Sequence, residues 1–220
     1  MTTVDTLVRG MTATHRVLDE RLIRAAAAPP DPGHPRDQYP AIDTFLASAS
    51  RHQGAVLAVL VPAARRRLSD GGQRAREFVH RSRELEIALF NVKAKLYGST
   101  YAVRRSWESV WDDVRTEFDA TWALEPKLVD ELVAHRNEED PDWGERLHHA
   151  EVRAPTRPHP YVPHRGLGGT MARAVALRVD RFWDMTESRM FPEPVRDHDR
   201  HDDGKVTQYL LADPHIDEER

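Results

Sequence analysis

Apolar residues return every three or four positions through most of this chain, with polar residues filling the intervals. The first stripe is Val4, Val8, Met11, His15, Leu18 and Leu22, the rhythm of a helix with one side buried. It predicts a helix from about Val4 to Ala27, entered through Thr2 and Thr3. PPDPGHP, residues 29–35, closes it, since no helix crosses that many prolines. A second stripe, Phe45, Ala49, His52, Val56 and Leu60, predicts a helix from near Pro40 to about Leu68, with Pro62 as a kink or weakest point. SDGG, residues 69–72, is a tight connection, so the next helix, about Gln73 to Tyr97 and ending at Gly98, should run antiparallel beside it. Trp107, Trp111, Val114, Phe118, Thr121, Glu125, Leu128 and Leu132 predict a fourth helix from about Ser106 to Ala134. β-Alternation is nowhere sustained. The pattern implies an all-α fold, an antiparallel four-helix bundle over residues 1–136.

Beyond the bundle the pattern changes. Residues 137–166 hold five prolines and one short helical stretch, about Asp142 to Arg153, before an extended Pro-rich strap. A fifth helix is expected over about Thr170 to Met190, with Val175, Leu177, Val179, Phe182 and Trp183 available to pack on the bundle, so that 137–191 form one appendage. Residues 192–220, which include DHDRHDDGK, read as a polar tail.

Composition narrows the function. The 220 residues suit one domain, and 32 basic against 36 acidic residues leave a net charge of -4, without the footprint of a nucleic-acid partner. Cysteine is absent, which excludes disulfides, thiolate catalysis and Cys-ligated zinc or iron–sulfur sites. Any metal would have to be held by His and carboxylates. The N-terminus lacks the basic and apolar regions of a signal peptide, and no apolar run approaches the ~20 residues of a membrane span. The expectation is a cytoplasmic protein with no membrane partner.

The chemistry lies in polar residues that fall on apolar stripes. His15 and His52 point inward on the first two helices, and Thr121 and Glu125 carry a hydroxyl and a carboxylate into the core on the fourth. A buried carboxylate needs a partner, a proton or a metal. On the third helix Phe78, Leu85, Leu89, Val92 and Leu96 form the main stripe, and His80, Glu84, Ile87 and Asn91 a second line roughly 140–220° away. Two arrangements stay open: His80 and Glu84 face solvent, or the third helix is covered on two sides. Imidazoles and carboxylates converging from facing helices suit non-haem iron or manganese.

These residues resemble the hemerythrin-like HHE cation-binding family, in particular an actinobacterial type. That family carries a His on its first helix, His-x-x-x-Glu followed by Pro on the second, a His on the third and His-x-x-x-Glu on the fourth. His15 in THRVLDE is similar to the first ligand, His52 with Pro62 ten residues on to the second, and His80 in FVHRSREL to the third. FDATWALEPKLVDEL, containing Thr121 and Glu125, is similar to the fourth-helix segment. APTRPHPYVPH and RFWDMTESR extend the resemblance over about residues 3 to 195. Val56 stands where the second helix should supply a bridging Glu, and Thr121 where the fourth should supply a His. The resemblance therefore implies a metal set of His15, His52, His80 and Glu125, with Glu84, one turn beyond His80, as a replacement carboxylate.

What the resemblance implies is a protein holding one or two non-haem irons, or manganese, for chemistry with dioxygen, peroxide or nitric oxide. Two alternatives share the same residues: a metal-free bundle serving interaction or small-molecule binding, and an oxidative enzyme with a remodelled site. A rival register would use His135 and Glu139, which continue the fourth stripe beyond Leu132. His148, His149, His159 and His164 read as solvated or strap-fixing, because their spacing fits no rigid helix face. The five tryptophans and the fifth helix leave room for a homodimer interface.

Overall fold

The computed structural model describes residues 3–27, 39–98, 104–137, 139–159, 179–180 and 192–194. Its principal elements are α1 (Thr3–Ala27), α2 (Tyr39–Arg67), α3 (Gly71–Leu96), α4 (Trp107–Trp122), α5 (Glu125–Ala134) and α6 (Trp143–Val152), and no strand occurs among the described residues. None of the described helices is long and apolar enough to cross a membrane. The secondary structure of the described residues is thus all-helical, as the periodicity predicts.

Two apolar clusters make the core, and their membership fixes the helix directions. One joins Leu7 and Met11 of α1 to Val56, Leu60 and Ala64 of α2, Ala75 and Phe78 of α3, Leu128 and Leu132 of α5, and Trp143 and Leu147 of α6. The other joins Leu18 and Leu22 to Ile42, Phe45 and Ala49, then to Leu85, Leu89 and Val92, and to Val110, Val114 and Phe118 of α4. The start of α1 thus packs with the end of α2, and the end of α2 with the start of α3. Each pair runs antiparallel. α2 packs against α1, α3, α5 and α6, while α4 packs on α3.

Local chemistry explains the boundaries. Ser106 caps α4 by accepting from Ser109 N at 3.0 Å, and Asp142 caps α6 by accepting from Glu145 N at 3.1 Å. At the α2–α3 connection a Cβ on Gly71 would fall 2.0 Å from the Ala64 carbonyl oxygen, so only glycine lets the two helices turn this closely. α2 runs unbroken through Pro62.

Three expectations need correction. The single helix expected over 106–134 is two, α4 and α5, separated at Ala123 and Leu124. Pro126 favours the break: it has no N–H to give to the Trp122 carbonyl, and it stands in the first turn of α5, where that donor is not needed. On α1, Leu7 is buried at 2% exposure while Val8 is 37% exposed, so the inward line is Leu7, Met11, His15, Leu18, Leu22. Most of the fifth helix lies outside the described residues. Within it Val179 and Asp180 are helical, but Val179 is exposed and its neighbour Asp180 is buried, accepting from Arg157 N at 3.1 Å and lying 3.1 Å from His159 Nε2.

Candidate metal centre

Between the two apolar clusters each helix contributes polar residues at one level. α1 supplies Thr14 and His15, after Met11 and before Leu18; α2 supplies Ser50, His52 and Gln53; α3 supplies Ser82; Thr121, Glu125 and Glu151 come from α4, α5 and α6. All are buried. A polar layer this deep in a helical core is costly unless its groups satisfy one another or a ligand.

Three of them converge. His15 Nε2 lies 2.5 Å and His52 Nε2 2.9 Å from the same oxygen, Oε2 of Glu125. On its other side His52 places Nδ1 2.6 Å from Glu151 Oε1. The His15 ring stands edge-on to His52, centroids 5.4 Å apart, and against Trp122 at 4.1 Å, with Phe118 behind Trp122 at 4.6 Å. The α4–α5 break aims Glu125 at this point, because Pro126 restarts the helix with Glu125 in its first turn. Glu151 arrives because α6 lies on α2, and the strap leaving α6 passes Gly54, where a Cβ would already touch Ala154 Cβ at 3.4 Å.

The charges follow from this geometry. Burial alone would lower the His52 pKa, but Glu125 and Glu151 together outweigh it and raise it to about 10. Burial would raise Glu125, yet His52 and His15 bring it down to about 2. For His15 burial prevails over its single carboxylate partner, and its pKa falls below 6.5. The layer therefore holds an imidazolium between two carboxylates, with a neutral imidazole completing the chain. An ionised carboxylate only accepts, so both Nε2 atoms donate to Glu125.

His15, His52 and Glu125 each offer a ligand atom, and these atoms lie within 4.8 Å of one another. Cations bound at roughly 2.0–2.1 Å space neighbouring ligand atoms about 3 Å apart; the His52–Glu125 pair already has that spacing, and the His15–Glu125 pair is shorter. A small cavity adjoins the triad and is lined also by Leu18, Ala49, Gln53, Leu85, Phe118, Thr121 and Trp122. Gln53 Oε1 and Thr121 Oγ1 on this wall, and Ser50 Oγ and Ser82 Oγ nearby in the layer, have no hydrogen-bond partner. The donor set fits a divalent first-row ion, and the orphaned atoms fit a small ligand beside it.

Of the five residues singled out in the sequence, the structure brings together His15, His52 and Glu125. His80 and Glu84 are not with them: their side chains are 67% and 40% exposed and face each other at 3.9 Å on the outside of α3. The reason is helical phase, since Phe78, Ser82 and Leu85 hold the buried face and His80 lies about 200° beyond Phe78. The rival pair is also outside. His135 ends α5 exposed, with Nδ1 2.9 Å from the Glu131 carbonyl oxygen, and Glu139 is exposed.

Sequence reasoning missed Glu151 and Gln53. Glu151 had a signal, for Trp143, Leu147 and Glu151 recur every four residues and place the carboxylate on the buried side of α6. Gln53 had one too, for it stands four residues after Ala49 and three before Val56 and so fits the apolar rhythm as closely as His52, on the flank that α3 covers. No family model, curated protein or solved structure matches this chain.

Proposed function

We propose that this chain is a hemerythrin-like four-helix-bundle protein, with α4 and α5 together as the fourth member, that holds one divalent metal between His15, His52 and Glu125. Iron suits that set best, and manganese next: two imidazoles and one carboxylate with open positions are the donors of mononuclear non-haem iron sites. The observation that carries the reading is the convergence of two Nε2 atoms on one carboxylate oxygen inside the buried layer. Such an ion, when bound, supplies a Lewis-acidic, redox-capable position for dioxygen, peroxide or nitric oxide.

The remaining steps belong to the protein. Glu151 accepts from His52 Nδ1–H and so keeps Nε2 turned toward Glu125. Trp122 and Phe118 shield the His15 side from solvent. With His80 and Glu84 on the outer surface, the reading is mononuclear rather than di-iron.

A second reading has its own observation. His15, Glu125, His52 and Glu151 already satisfy one another in a continuous chain of hydrogen bonds, as a metal-free descendant of the scaffold serving interaction or small-molecule binding would need. Elemental analysis of untagged protein before and after anaerobic ferrous loading separates the two. About one iron per chain, lost in His52→Ala, supports the metal site. No metal after loading rejects it in favour of the metal-free bundle, and two irons per chain reject the mononuclear assignment.

A further inference from the structure

Gln53 and Thr121 are the polar residues on the cavity wall that the triad does not engage. The Gln53 amide can be placed in one orientation only. Its neighbour is the Ser82 carbonyl oxygen at 2.6 Å, which accepts and never donates, so Nε2 must face it and Oε1 must face away. That Oε1 belongs to a side chain 2% exposed and has no partner; the same holds for Oγ1 of Thr121, 3% exposed.

An amide oxygen without a donor is a specific demand. Whatever sits beside it has to bring an O–H or N–H, and a hydroxyl such as Thr121 can then donate to or accept from the same molecule. Dioxygen, nitric oxide and carbon monoxide carry no proton to give. Among the described residues, no lysine or arginine lines the cavity to pair with an anion. Beside the triad, Leu18, Ala49, Leu85, Phe118 and Trp122 supply the apolar part of the lining.

We propose that this cavity is a binding site for a small neutral hydroxyl-bearing molecule, of hydrogen peroxide or short-alcohol class, held between Gln53 Oε1 and Thr121 Oγ1. The inference deepens the reading above by choosing, among the three ligands named there, the one that donates hydrogen bonds. Binding itself does not require the metal, and the test is arranged accordingly.

The full-length metal-free protein is titrated with hydrogen peroxide, and separately with methanol, while the Gln53 side-chain amide and Trp122 indole signals are followed by NMR. Carbon monoxide serves as the small comparator without a proton donor. Saturable shifts with peroxide or methanol and none with carbon monoxide are expected. The dissociation constant should rise about five- to tenfold in Thr121→Val, the loss of one hydrogen bond, and stay within twofold of wild type in Thr121→Ser. Gln53→Leu, read at Trp122, should weaken binding similarly. Absence of a saturable shift, an equal response to carbon monoxide, or unchanged binding in a folded Thr121→Val protein overturns the inference. Iron taken up by a separately loaded portion of the same protein keeps the two claims apart: a chain that takes up no iron on loading yet binds peroxide fails only the metal reading, and a chain that takes up iron yet ignores both hydroxyl-bearing probes when metal-free fails only this one.

Discussion

Glu151 of α6 sets its Oε1 2.6 Å from Nδ1 of His52, midway along α2, with both side chains almost fully enclosed. A helix that follows α1 to α5 in the chain therefore reaches the centre of the polar layer. It fixes which face of the His52 ring is offered to Glu125.

If His52 binds metal through Nε2, removing Glu151 should loosen that ligand without removing it. Glu151→Ala is expected to lower metal affinity about 10- to 100-fold, and Glu151→Gln, which keeps an acceptor oxygen, by less. Competition against a chromogenic chelator measures this. Equal affinity in Glu151→Ala and wild type would show that α6 has no part in the site.

Stability of the metal-free protein should respond sharply to His52. His52→Leu strips Glu151 of its bonded imidazole and leaves Glu125 with His15 alone, and uncompensated buried charge costs about 3–5 kcal/mol. The triple replacement His52→Leu, Glu125→Met, Glu151→Leu removes the charges together and should regain most of that loss. Urea denaturation of both variants checks the contrast.

The same charges set a pH profile. The pKa of His52 is raised in the fold from 6.5 to about 10, so its contribution is complete below pH 6.5 and disappears as pH climbs toward 10. That of Glu125 is lowered from 4.5 to about 2, so its contribution holds above pH 4.5 and is lost on falling toward 2. His15, lowered from 6.5, resists protonation in the fold and weakens it further below pH 6.5. Metal-free stability should peak near pH 6.5, and His52→Leu should flatten the alkaline side. Metal affinity should instead rise with pH, about tenfold per unit, because His52 must surrender a proton to a metal.

Introducing at position 56 the bridging carboxylate that the proposed hemerythrin-like reading calls for should fail as a single change. Val56 is fully enclosed in the apolar cluster below the polar layer, so Val56→Glu is expected to destabilise the metal-free protein by at least about 3 kcal/mol. Thr121→Val should act in the opposite direction and gain about 1 kcal/mol, since the buried hydroxyl it removes has no protein partner. Thermal and urea unfolding of each variant decides both signs.

Periodicity along one chain reports which side of a helix is buried, and for that reason the helices, their antiparallel order along α1 to α3, and the inward turn of His15, His52 and Glu125 were all legible from residue order. It reports the phase of a single helix less well where polar and apolar lines compete. On α3, His80 and Glu84 stayed undecided until Ser82, a small polar residue with no apolar signature, proved to occupy the inward place.

The sequence by itself determined an all-helical chain, the absence of cysteine chemistry, and a core in which two imidazoles and a carboxylate had to find partners, because spacing and residue type are properties of the chain alone. Only the tertiary structure decided which partners they found. Residues 110 and 99 positions apart, His15 with Glu125 and His52 with Glu151, meet through helix packing, and no local pattern encodes a distance between helices. The break at Pro126 and the docking of α6 beside Gly54 turned inward-facing residues into one site.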